Sequence, residues 1–115
     1  MTPEQVRQLV VEALEDLKAV NLAVLDVSRL TSITDYMIIA SGTSDRHVRS
    51  LVNNVIEAAG KHGLKPIGVE GERQAQWALV DLGDVVVHVM LPDVRTFYQL
   101  EKLWDFGEER DSGRV

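Results

Sequence analysis

Two apolar runs, Trp77 to Leu82 and Val85 to Met90, flank the pair Gly83-Asp84, and no other feature constrains the chain as tightly. Glycine at the first central position suits a type II′ turn, so the runs are predicted to fold back on each other as a β-hairpin. In that register Leu82 faces Val85, Val80 faces Val87 and Ala78 faces Val89. One side of the hairpin is then wholly aliphatic and belongs to the core. The other side carries Trp77, Leu79 and Asp81 opposite Met90, His88 and Val86. Large apolar groups beside one acid and one imidazole suit a wet-edged interface, so this outward face is the first candidate for function.

The remaining segments supply the cover for such a sheet. Thr2-Pro3-Glu4-Gln5 has the form of a capped helix start, and Val6, Leu9, Val10, Ala13, Leu14 and Leu17 then recur at helical spacing. Leu22 to Val27 and Tyr36 to Ala40 are near-continuous apolar runs that predict strands covered on both faces. After the polar turn Ser41 to Ser44, a second helix places Val48, Leu51, Val52, Val55, Ile56 and Ala59 on one side and stops at Gly60 and Gly63. Pro66 to Val69 is a short strand that its proline confines to an edge or a strand start, and Glu70 to Gln76 is a polar connector. Beyond Pro92, Asp93 is expected to cap a short third helix with Phe97, Leu100 and Trp104 on a stripe and Tyr98 at its border. The order is helix, two strands, helix, three strands, helix. This predicts an α/β (α+β) fold, a mixed sheet of about five strands with flanking helices. One domain is expected over residues 1–105, followed by a flexible acidic tail over 106–115.

With 115 residues, 45% of them apolar, the chain has material for one modest core and not for two catalytic domains. Eighteen acidic against twelve basic side chains leave a formal charge of −6, the wrong field for neutralising a phosphate backbone. A basic partner protein suits it better, and little direct nucleic-acid binding is expected. The absence of cysteine removes disulfides, thiolate zinc sites, iron–sulfur clusters and a cysteine nucleophile together. No segment has the order of a secretory signal or the uninterrupted apolar length of a membrane span. A soluble, cytoplasmic protein without membrane contact is expected.

Several chemical signals compete with simpler explanations. A strand, the turn Ser41-Gly42-Thr43-Ser44 and a helix could cradle a phosphate, but one glycine without a following lysine makes no P-loop, and Ser44 as a helix cap explains the same residues. His47, His62 and His88 have neither ligand spacing nor an acid beside them, so no metal is expected. His88 interrupts a valine run where valine would fit better, which marks it either as an interface group or as a hydrogen-bonded sheet histidine. Asp81 and Asp84 flank a turn, where aspartate is common for local reasons, and no catalytic pair is assigned. Arg46, His47 and Arg49 open the second helix without the interleaved aromatics of a nucleic-acid platform. Trp77, an aromatic with polar groups nearby, has the character of an interface anchor, while Phe97 is assigned to the core.

Taken together, Glu70-Gly71-Glu72, Trp77, Val80-Asp81-Leu82-Gly83-Asp84, Val86-Val87-His88-Val89 and Arg95-x-Phe97-Tyr98-x-Leu100-Glu101-x-Leu103-Trp104 resemble the ribosomal silencing factor family, also called RsfS, YbeB or Iojap. Asp26-Val27, Thr34-Asp35-Tyr36-Met37-Ile38 and Ser41-Gly42-Thr43-Ser44-x-Arg46-His47-Val48 match the same pattern, and the resemblance spans residues 5 to 105. It implies a non-enzymatic factor without cofactor or metal. Such a factor binds the large ribosomal subunit at ribosomal protein fourteen, blocks joining of the small subunit and represses translation when nutrients run short. It also implies a nucleotidyltransferase-like core lacking catalytic acids, and a homodimer when free. Organelle relatives are implicated in large-subunit assembly. The partner-binding residues expected are Trp77, Leu79, Asp81, His88 and Met90 from the outward face, with Leu82 and Tyr98 carried over from the resemblance. The hairpin register puts Leu82 on the core side, in conflict with that last assignment. Two other classes stay open: a small nucleotide-binding enzyme using Ser41 to Ser44 and Asp81, which calorimetry with nucleotide and magnesium would detect, and a dimerisation module that never meets a ribosome.

Overall fold

Both long helices begin where their capping residues stand. In the computed structural model, which describes residues 1–98 with side chains to Thr96, helix α1 (Pro3–Asp16) opens with a capping box. The Thr2 hydroxyl accepts from the Gln5 amide at 3.1 Å, and the Gln5 side chain accepts from the Thr2 amide at 2.9 Å. Helix α2 (Asp45–Gly60) starts at Ser44, whose hydroxyl accepts from the His47 amide at 3.1 Å. Ser44 is thus the helix cap.

The helices also end alike. After α1 the Lys18 amide donates to Glu15 O and the Ala19 amide to Leu14 O, with Lys18 in the left-handed region at φ 62°. After α2 the Gly63 amide donates to Gly60 O and the Leu64 amide to Ala59 O, with Gly63 at φ 77°. Both are Schellman turns, which satisfy carbonyls left over at a helix end. The first turn corrects one expectation: it swings Leu17 off the apolar stripe, leaving it 36% exposed, while Val6, Val10, Ala13 and Leu14 are buried.

Five strands follow: β1 (Val20–Asp26), β2 (Tyr36–Ser41), β3 (Gly68–Glu70), β4 (Trp77–Asp81) and β5 (Val85–Met90). They form one sheet in the order β1-β2-β5-β4-β3, with β2 and β5 parallel and every other pair antiparallel. The mixed five-stranded sheet of the sequence reading is therefore present. The hairpin register is also as expected: Ala78 pairs with Val89 and Val80 with Val87, and the Leu82 amide donates to Val85 O. Gly83 has φ +88°, the sign a type II′ turn requires at this position. β2 is buried along its whole length, as its sequence predicts. β1 is not. It lies at an edge with a neighbour on one side only, and Val24 is 41% exposed. β3 occupies the opposite edge, just after Pro66.

Helices α1 and α2 pack on one face of the sheet, and the main core lies between them and Ile38, Ala40, Val80, Val87 and Val89. Gly42 permits the close approach of α2, since a Cβ there would stand 2.8 Å from Val48 Cγ2 and 2.9 Å from its backbone nitrogen. The opposite face has a smaller cluster of Val27, Met37, Ile39 and Met90, with Trp77 and Val94 at its margin. Val94 belongs to α3 (Pro92–Tyr98), which Pro92 itself opens as a first-turn proline, so Asp93 sits inside the helix and not at its cap. The Arg95 guanidinium straps α3 to the sheet by donating to Asn21 O and to Ser41 Oγ. The expectations for Phe97, Leu100 and Trp104, and for the 106–115 tail, lie outside the described side chains and residues.

Candidate functional site

Strand alternation sends Trp77, Leu79 and Asp81 of β4 to the face away from α1 and α2, together with Val86, His88 and Met90 of β5. Register pairs them as Trp77 with Met90, Leu79 with His88 and Asp81 with Val86. Within this set Trp77, Leu79 and Asp81 of β4 and Val86 of β5 are half-buried.

The β5 part lies deeper than expected. His88 is 7% exposed and Met90 is fully buried, so neither is the outward side chain that alternation alone suggests. For Met90 the physical reason is cover from outside the hairpin: it clusters with Met37 and Ile39 of β2, and Val94 of α3 packs against that cluster. Leu82 is half-buried and packs against the helix-side core, as the register requires, at the far end of β4 from Trp77. The structure therefore assembles Trp77, Leu79 and Asp81 on one strand above His88 and Met90, and it leaves Leu82 apart. Tyr98 closes α3, and its side chain lies outside those described.

Two polar contacts organise the face. The Trp77 indole Nε1–H donates to His88 Nδ1 at 3.0 Å, the rings being tilted by 50° with centroids 6.1 Å apart. Since Nδ1 accepts, the imidazole proton resides on Nε2. Burial pushes the His88 pKa down to about 4, so the ring is neutral near pH 7 and the bond persists there. At the other end of β4, Asp81 Oδ1 accepts from the Gly83 amide at 2.9 Å. That is turn chemistry, in keeping with a structural role for this aspartate in the hairpin.

The connector before β4, polar in sequence, is built to hold Trp77 from behind. Gly71 has φ +77°, and a Cβ there would fall 2.1 Å from the Trp77 carbonyl oxygen, so only glycine allows the two backbones to meet. Ala75 is fully buried, and its amide donates to Gly71 O. Arg49 of α2 donates to Arg73 O at 2.9 Å. Sequence reasoning missed this bracing; its one visible signal was a glycine and an alanine among charged and polar neighbours.

The competing signals are absorbed by local structure. His47 Nδ1 accepts from the Thr43 amide at 2.9 Å while Nε2 donates to Leu17 O at 2.7 Å, which ties the start of α2 to the end of α1. Ser41 Oγ receives Arg95, and Asp84 O accepts from the amides of Asp35 and Tyr36. Among the described residues no group of three or more His, Cys, Asp or Glu is placed to hold a metal ion, and no helix is long and apolar enough to cross a membrane.

A face centred on one anchored tryptophan, with connector and strands arranged to present it, can be compared with known proteins. The sequence model of the family described as "Ribosomal silencing factor during starvation" matches residues 1–115. The chain belongs to the RsfS family. The ribosomal silencing factor RsfS of Chromobacterium violaceum is 46% identical over 104 residues, spanning 90% of this chain and 85% of its own length. A crystal structure of a protein from the same organism shares the fold with a TM-score of 0.89 at 46% identity, covering 90% of this chain and 87% of that one. A mouse protein named "Mitochondrial assembly of ribosomal large subunit protein 1" is 38% identical over 101 residues, 84% of this chain and 43% of its own. RsfS is by name a silencing factor, a regulator and not an enzyme.

Proposed function

We propose that the protein represses translation in the cytoplasm by docking on the large ribosomal subunit through ribosomal protein fourteen and blocking the small subunit sterically. The observation that carries this is Trp77: a half-buried indole, hydrogen-bonded on one edge, on the sheet face opposite the two long helices. Aromatic anchors of this kind dominate protein interfaces. Leu79 and Asp81 extend the contact along β4 and Tyr98 adds to it from α3, whereas Leu82, packed on the helix-side core, stands apart from this face. Met90 supports the indole from beneath, being fully buried itself. A formal charge of −6 favours a basic ribosomal protein. Occupancy suffices for the effect, with no catalysis and no nucleotide.

The mouse relative's name supports a second reading, a role in assembly of the large subunit. Sedimentation of the purified protein with separated subunits and with intact ribosomes tests the docking. Comigration with the large subunit, and loss of that comigration in Trp77→Glu with an unchanged circular dichroism spectrum, is the expected result. A wild-type chain that follows neither subunit would overturn the proposal. Accumulation of large-subunit precursors in cells lacking the protein, with joining unaffected by added protein, would favour assembly over silencing.

A further inference from the structure

His88 occupies the middle of the sheet, its backbone paired with Ile39 of β2 on one side and with Leu79 of β4 on the other. Strands on both sides fix where its side chain begins. The ring is 7% exposed, so a partner lying on the face has almost no access to it, yet its Nδ1 takes the indole proton of Trp77. We infer that His88 is a positioning residue, which holds the Trp77 indole in the one orientation that the partner protein reads and does not itself form the contact. This rests on the docking function proposed above.

Packing on Met90 does not by itself direct the indole N–H. Met90, the residue paired with it, has a flexible thioether side chain that accommodates an indole in more than one orientation. Turning the ring over carries Nε1 away from His88, its acceptor at 3.0 Å. The hydrogen bond to His88 therefore favours the observed orientation over the reversed one. An anchor fixed before encounter loses less rotamer freedom on binding, an advantage of roughly three- to tenfold in affinity. The placement also accounts for a histidine inside Val85-Val86-Val87-His88-Val89-Met90: valine there would fit the strand and offer no acceptor.

The test compares His88→Phe, which fills the site without an acceptor on its ring, with His88→Gln, whose side-chain carbonyl can accept the indole proton. The chain has two tryptophans, so a nitrogen–proton correlation spectrum shows two indole signals, and Trp77→Phe identifies the one from Trp77. In His88→Phe that signal is expected to move upfield and binding to purified large subunits to weaken about three- to tenfold, while amide dispersion and circular dichroism stay native. His88→Gln is expected to recover both the signal and the affinity, a rescue that a merely space-filling role would not give. If His88→Phe does not fold, the smaller His88→Leu takes its place in the comparison. An unmoved indole signal in a folded His88→Phe or His88→Leu overturns the inference, as does a moved signal with wild-type affinity. Failure of the wild-type chain to bind large subunits overturns the docking function, and the indole signal still decides whether His88 holds Trp77.

Discussion

His88 links the stability of this protein to pH. Burial holds its folded-state pKa at about 4 against an ordinary 6.5, so the folded chain favours the neutral ring. The resulting stability is complete above pH 6.5, declines as the unfolded chain takes up a proton that the folded one refuses, and levels off near pH 4. The loss across that window is about 3 kcal/mol. Urea denaturation at a series of pH values is expected to show it, and His88→Gln to lack it. Asp26 does not interfere: bonds from Ser28 lower its pKa below 3.8, so its contribution is lost only at more acid pH. His88 is conspicuous in the sequence because it breaks a valine run, but register sets Trp77 opposite Met90, so the diagonal hydrogen bond to His88 is not legible there. Its burial was not readable, and neither was that of Met90. Alternation tells which face of a sheet a residue takes, but the apolar cluster that holds Met90 draws on Met37, Ile39 and Val94, all from outside the hairpin.

At the scale of elements, the two Schellman turns make a natural comparison. Gly63 adopts a left-handed conformation at no steric cost, whereas Lys18 holds one against the repulsion of its own Cβ. Lys18→Gly is expected to raise stability by about 0.5–1 kcal/mol, the relief of that repulsion outweighing the added freedom of the unfolded chain. A urea midpoint that is unchanged or lower would contradict this. The same contrast explains what the sequence revealed of the helices. The end of α2 could be seen because glycine marks it, but lysine carries no stop signal, so Leu17 was counted into α1. Strands show a parallel case. The apolar composition of β1 resembles that of β2, and only the strand order makes one an edge and the other central.

For the whole molecule, charge governs encounter more than it governs fold. A net −6 approaching a basic ribosomal protein is steered at long range, and salt screens that attraction. The association rate of labelled protein with large subunits is expected to fall about tenfold between low and high salt, with dissociation changing far less. A rate indifferent to salt would remove charge from the account. Local patterns predicted the elements and the hairpin, but nothing local could reveal that β5 also pairs with β2, because those two strands are separated by all of α2, β3 and β4. The position of β5 has a consequence for synthesis. Before its residues are available, β1 with β2 and β3 with β4 are two separate hairpins, and α1 and α2 lack Val85, Val87 and Val89 to pack on. Isolated hairpins are at best marginal in water. The nascent chain thus cannot complete its core until Met90 has left the ribosome that makes it, and a protein proposed to act on ribosomes must clear one before its sheet can close.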